Sequence, residues 1–174
     1  MVLLKMIKKI IKYILTFFSE VYIYESKRNK KKVTYNKFLL KQYKSGNSIK
    51  NHIIKKYLAK SNRYERFKNN QILLVLFFQK KAVCFGWMNL KSSWEITEIN
   101  KIIIKKNTLI LYDFFTDINF RNRGYYTKIL SLIKNIKTKK KFLIYCLKNN
   151  ESSKRGISKA KFILVDKIKG FNLC

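Results

Sequence analysis

Residues 111–133 read LYDFFTDINFRNRGYYTKILSLI. The opening six residues, apolar or aromatic except for Asp113 and Thr116, are of strand type, and the run reaches back to Thr108. A short basic loop with one glycine, Gly124, follows. Tyr126, Ile129, Leu130, Ile133 and Ile136 then recur at helical spacing. A strand, a loop and a helix in that order place free backbone N–H groups at a helix N-terminus, a setting suited to a phosphate or pyrophosphate. Arg121 and Arg123 add positive charge, and Gly124 lets the backbone approach a ligand with no Cβ in the way.

The same reading extends in both directions. Downstream, KFLIYCL (141–147) is a buried strand. Residues 150–160 form a short helix behind a polar Asn-Glu-Ser-Ser cap, and KFILVDKIKGF (161–171) closes with one or two strands. Upstream, QILLVLFFQKKAVCFGWMNL (71–90) is a hairpin turning at Gln79-Lys80-Lys81. WEITEINKIII (94–104) reads as a third strand and TLILYDFFT (108–116) as a fourth. Tyr35, Phe38, Leu39 and Tyr43 share one helical face over 34–44. Ile53, Ile54, Tyr57, Leu58 and Tyr64 form the stripe of a second helix over 49–68. VYIYE (21–25) is a strand before the charged connection 26–32. The expected fold is a single mixed α/β domain, with a central, mostly antiparallel sheet flanked by helices.

Residues 1–19, MVLLKMIKKIIKYILTFFS, are interrupted by Lys5, Lys8, Lys9 and Lys12, so they fit neither a secretory signal nor a bilayer span. At helical spacing the lysines fall opposite Leu3, Met6, Ile7, Ile10, Ile14 and Phe17. This basic amphipathic helix has three candidate docking surfaces: its own domain, a second subunit of a homodimer, or an anionic membrane surface. The expected location is cytoplasmic, including peripheral contact at the inner membrane face.

Composition sets the remaining bounds. The chain has 174 residues, 47% of them apolar, with no proline and five glycines, which excludes disordered and collagen-like classes. Forty basic residues against nine acidic ones give a net charge of +31, a surface that attracts polyanions nonspecifically. Lysine is spread along nearly the whole chain, and a Lys-, Ile- and Asn-rich sequence without proline is also what an A+T-rich genome produces. Cys84, Cys146 and Cys174 fit no zinc spacing, and His52 is the only histidine. No metal is expected, and Cys84 and Cys146 read as buried, reduced thiols.

The segment 121–126, Arg-Asn-Arg-Gly-Tyr-Tyr, resembles the acetyl-CoA loop R/Q-x-x-G-x-G/A of the GNAT superfamily of N-acetyltransferases. Arg121 and Gly124 match, whereas Tyr126 departs from the usual small residue. A second family segment, N-x-x-S-x-x-x-Y-x-K-x-G-F, is matched by Asn150, Ser153, Lys159 and Phe162, with Ile157 at the Tyr position and Lys161 at the Gly position. The resemblance covers about residues 72–171. It implies acetyl-CoA as co-substrate, held where the fourth and fifth strands splay apart at a bulge. The pantetheine would run along Phe114, Phe115 and Thr116. The pyrophosphate would sit on the amides of Arg121, Asn122, Arg123, Gly124, Tyr125 and Tyr126, with Asn150 and Ser153 approaching from the far side. The implied reaction is direct attack by an unprotonated amine, with a backbone N–H stabilising the developing oxyanion.

Asp113, on the fourth strand, and Glu98 and Glu95, on the strand before it, are the candidate bases; water is the alternative. Because Ile157 replaces the family's tyrosine, Tyr145, Tyr126 or water is left to protonate the thiolate. YIYE (22–25) after a basic helix and Gly86-Trp87 resemble bacterial family members of surface-polysaccharide assembly, which implies as acceptor a small-molecule primary amine, an amino sugar on a nucleotide carrier. Trp87, Trp94 and Tyr112 are candidates to stack on it. A ribosome-associated protein N-acetyltransferase and a non-enzymatic, basic nucleic-acid-binding module are the alternatives.

Overall fold

The computed structural model describes residues 19–26, 34–60 and 63–170. The helix expected over the first residues and most of the connection after residue 26 lie outside the described residues. In chain order the elements are β1 (Glu20–Ser26), β2 (Phe38–Tyr43), α1 (His52–Ala59), α2 (Glu65–Lys68), β3 (Ile72–Phe78), β4 (Lys81–Asn89), β5 (Ser93–Ile96), β6 (Lys101–Ile104) and β7 (Thr108–Thr116). A 3₁₀ turn at Ile118–Phe120, α3 (Tyr125–Ile133), β8 (Lys141–Leu147), α4 (Glu151–Lys159) and β9 (Phe162–Lys169) complete it. Among the described residues, no helix is long and apolar enough to cross a membrane.

Seven strands form one sheet in the order β2-β3-β4-β7-β8-β1-β9, parallel only at β7–β8. Side chains alternate across it. Leu109 and Leu111 of β7, Leu74 and Leu76 of β3 and Phe142 and Ile144 of β8 join one cluster beneath α3 and α4. Leu73, Val75 and Trp87 join a second cluster with α1. Ile110, Leu143, Val21 and Ile23 join a third under the β5–β6 hairpin. A sheet covered on both faces needs apolar residues at successive positions, which is why ILLVLFF and KFLIYCL read as nearly unbroken hydrophobic runs.

Three expectations are corrected. The 34–44 stretch is not a helix: Phe38–Tyr43 pair in antiparallel register along all six residues of β2 with β3. Apolar residues at 35, 38, 39 and 43 fit a helical stripe, but the ladder along β3, together with Phe38 and Leu40 packing on the first cluster, outweighs local preference. The stretch 94–104 is not one strand. It turns at residues 97–100, with Asn100 at φ 51°, into a two-stranded hairpin that lies outside the main sheet. The expected helix over 49–68 is two pieces, α1 and the single turn α2, with Tyr64 exposed.

The 72–89 hairpin forms as expected. Gln79 and Lys80 both adopt positive φ (47° and 65°), the twist that a two-residue β-turn requires. After α4 the described residues form one strand, β9. Its partner is β1, which the fold inserts between β8 and β9.

Candidate functional site

β7 and β8 are hydrogen-bonded only from Thr108↔Lys141 to Leu111↔Ile144. Beyond Leu111 they part. β4 and β7 change register between Phe85 and Trp87, and Asp113 sits at φ 47°, so β7 bulges at 113–114. A Cβ on Gly86 would overlap the Phe114 ring, so glycine at 86 is what admits that ring beside the bulge. The opening between the diverging strands is a cavity of about 630 Å³, floored by β7 and β8 and walled by the 121–126 loop, α3 and α4.

Glu98, Asp113, Phe114, Phe115, Thr116, Arg121, Asn122, Gly124, Tyr125, Tyr126, Tyr145, Asn150 and Ser153 line this cavity; Arg123, Glu95, Trp87 and Trp94 of the predicted residues do not. Arg123 instead lies with its guanidinium over the Phe120 ring, 6.0 Å from the centroid. Gly124 is the N-cap of α3 at φ 71° and contributes no side-chain cap. The first-turn amides of α3 have no intrahelical partner. At Gly124 conformation rather than space calls for glycine, since an added Cβ would meet only Lys128 Nζ, at 3.6 Å. Arg121 is fixed by donating from Nε to the Thr116 carbonyl (3.2 Å). Arg155 and Lys159 of α4 also line the cavity, and motif reading had not singled out Arg155.

Asn150 caps α4 by accepting from the Ser153 amide through Oδ1 (3.0 Å), which leaves its Nδ2 group as the donor. Tyr126 fills the position where the family motif has a small residue. Its counterpart is Gly156, where a Cβ would collide with the Tyr126 ring. The large side chain on α3 is accommodated by the glycine on α4. Burial pushes the Tyr126 phenol well above its ordinary range.

Asp113 takes a structural partnership. Its Oδ2 accepts from Arg66 Nη1 (2.6 Å) and from Arg63 Nε (3.1 Å), and its carbonyl accepts from the Tyr57 hydroxyl (3.3 Å). Two guanidiniums clamp the bulge to the segment around α2. Glu98 lies in the turn after β5 rather than on a strand, and it forms no ion pair with a described residue. Burial, with the Glu98 carboxylate second, pushes the Tyr145 phenol up to about 12. The Tyr145 oxygen accepts from Trp94 Nε1 (3.2 Å). Cys84 and Cys146 are raised by burial to about 12 and about 11, which leaves them as thiols and unfit as nucleophiles at neutral pH.

A second cavity of about 410 Å³ shares Glu98, Tyr112, Asp113 and Tyr145 with the first and adds Arg66, Gln71, Trp94, Glu95 and Thr97. Trp94 and Tyr112 pack ring to ring at 4.2 Å along its wall, and the Tyr112 hydroxyl donates to Gln71. Trp87 does not reach it: it is fully buried and donates to the Tyr57 hydroxyl. Motif reading missed Arg63 and Arg66, because nothing local marks two arginines some fifty residues before the aspartate they hold.

No protein-family model matches the sequence, and no curated protein matches it. Solved structures match the fold. A GNAT-family protein from Novosphingobium aromaticivorans superposes with a TM-score of 0.58 at 8% identity, over 86% of this chain and 61% of that one. An acetyltransferase of the GNAT family from Colwellia psychrerythraea gives 0.56 at 14% identity, over 84% and 53%. A conserved protein of unknown function from Staphylococcus epidermidis gives 0.53 at 11%, over 86% and 58%. The chain thus shares the fold of GNAT-family acetyltransferases while spanning little more than half the length of these structures.

Proposed function

We propose that this chain is an N-acetyltransferase that moves an acetyl group from acetyl-CoA to a primary amine. The observation that carries the reading is the cleft itself. Two parallel strands part beside a bulge, and the uncapped N-terminus of α3, with Arg121 beside it, faces the same space. The fold agrees with it, and the residues present fit the co-substrate. Arg121 and the amides at Gly124–Thr127 would hold a pyrophosphate, the β7 edge at Phe114–Thr116 an amide-bearing arm, and Asn150 Nδ2 and Arg155 would close the far side.

When bound, the thioester supplies an activated acyl carbon. The chain's residues do the rest. The amine enters through the second cavity, whose shared wall adjoins the cleft. Glu98, which lines both cavities and has no cationic partner among the described residues, takes the proton from the amine. Asp113, clamped by two guanidiniums, holds the bulge in place. Tyr145, with its proton held up to about 12, does not yield it to a thiolate whose ordinary value is about 8.5. It donates a hydrogen bond and keeps the proton.

Calorimetric titration of acetyl-CoA at moderate and high salt, with ATP as a polyanion control, tests the reading. Micromolar binding that survives salt and exceeds that of ATP is expected. Binding that ATP reproduces and salt abolishes would reduce the cleft to one more part of a basic surface.

A further inference from the structure

Lysine is spread along the sequence but not over the fold. β7 and β8 run parallel, so their N-terminal ends lie together, at the opposite end of the sheet from the cleft. β7 spans about 25 Å between the two ends. β9 starts at the same end as β7 and β8, because Phe162 pairs with Ser26 and the Ser26 hydroxyl accepts from the Phe142 amide of β8. The turns that lead into these three strands carry Lys105 and Lys106, then Lys137, Lys139 and Lys140, then Lys161, all of them exposed. The turns are tied together. The Lys141 amide donates to the Asn107 carbonyl (3.0 Å), and Lys134 lies over the Phe162 ring, 5.7 Å from its centroid.

Acidic residues are kept elsewhere. Glu25 at this end is already held by Lys141 (2.8 Å). Glu95 lies farther along the β5–β6 hairpin, opposite Ile102. Glu20, Asp113, Asp117 and Glu151 belong to the cleft end. β7, β8, β1 and β9 are neighbours in the sheet, so the three lysine turns fall within three strand spacings, about 14 Å. Screening over about 8 Å at physiological salt does not separate neighbouring turns, and their lysines act as one field. Burial, with the like charge of Lys161 second, holds the Lys134 ammonium below its ordinary value.

The side chains around the lysines select among polyanions. The described arginines gather on the other side: Arg63 and Arg66 on Asp113, Arg121 and Arg155 in the cleft, and Arg123 on Phe120. The exposed apolar side chains beside the lysines are aliphatic: Ile104, 69% exposed and next to Lys105, and Ile163, two residues after Lys161. Nucleic acid is held by arginine forks and stacked aromatic rings. An anionic bilayer instead takes lysines against its headgroups and aliphatic side chains at its acyl boundary.

We infer that this end of the sheet docks on an anionic lipid bilayer. The lysines of the three turns meet the headgroups, and Ile104 and Ile163 reach the acyl boundary. The cleft, at the other end of β7 and β8, then opens away from the bilayer into water, whatever reaction it performs.

The test is cosedimentation of the full chain with vesicles at physiological salt. One set is phosphatidylcholine with one-third phosphatidylglycerol, and the other is phosphatidylcholine alone. Binding to the first set only is expected. Lys105→Gln, Lys106→Gln, Lys137→Gln and Lys140→Gln together should weaken it by about a hundredfold. A control with the same loss of charge around α1, Lys50→Gln, Lys55→Gln, Lys56→Gln and Lys60→Gln, should weaken it by about threefold or less. Ile104→Ser should weaken vesicle binding severalfold while leaving binding to a duplex RNA, measured alongside, unchanged. Equal losses in the two four-lysine variants would reduce the effect to net charge and overturn the inference. Full binding by the sheet-end variant would mean that another part of the chain docks, and tighter binding to the RNA than to the vesicles would replace the bilayer with nucleic acid; either overturns it.

Discussion

The two cavities share a wall and differ in everything that charge governs. Beyond the shared Glu98 and Asp113, the larger adds Arg121, Arg155 and Lys159 around the open end of α3, and the smaller adds Glu95 and Arg66 beside Trp94. A net charge of +31 describes neither. Charges within a few ångströms, rather than the sign of the whole chain, set the field in each space.

Glu98→Gln makes the sharpest cut between the two spaces. It should lower kcat by about 10²-fold or more while acetyl-CoA binding, read by calorimetry, stays within a factor of two or so. If kcat holds, water removes the proton and Glu98 is only part of the rim. Gly124→Asp acts on the other side. A carboxylate at the α3 N-terminus, on a residue forced to φ 71°, meets the site of the pyrophosphate. Acetyl-CoA affinity should fall by about 100-fold, roughly 2.7 kcal/mol. An unchanged Kd would mean the α3 terminus faces no phosphate.

Asp113→Asn keeps shape and removes the charge that both guanidiniums share. Each of the three side chains is less than a third exposed, so the loss should be about 1.5–3 kcal/mol in denaturant unfolding. Turnover should suffer less than in Glu98→Gln, and the reverse order would return the base to Asp113.

The smallest effect is in alkali. Burial raises Tyr24 and Tyr145 to about 12, whereas the unfolded chain titrates near 10. Their contribution to stability is complete below pH 10 and is lost as pH rises from about 10 through 12, because the unfolded state releases its protons first. Tm should decline by several degrees from pH 9 to pH 11. A flat Tm would mean that these phenols are solvated.

The same contrast marks what could be read in the sequence. From Ile72 onward most elements were legible, because a sheet covered on both faces writes itself as long apolar runs separated by polar turns. The exception, 94–104, hid a hairpin whose turn depends on one asparagine at positive φ. β2 was illegible for a different reason: an edge strand with one partly buried face and a 3.6-like spacing looks helical until its neighbour is known. In the cleft, loop and cap residues came from local motifs. The Arg63–Asp113–Arg66 clamp and the fit of Tyr126 against Gly156 did not, since both are agreements between distant segments. Glu95 and Glu98 were visible as acids, but their gathering into one cavity depends on how the hairpin folds back.

The position of β1 has a consequence in time. Residues 20–26 are made well over a hundred residues before either strand that pairs with them, 141–147 and 162–169. On the ribosome, β1 must wait with both edges unsatisfied while more than a hundred residues are added, held by no partner in the main sheet. Such late, long-range pairing slows folding and exposes an apolar strand to other chains meanwhile. The half of the sheet that carries β8, and with it one wall of the cleft, can close only after residues 141–147 have been made. A nascent chain halted before residue 141 therefore contains β7 and its loop but no site.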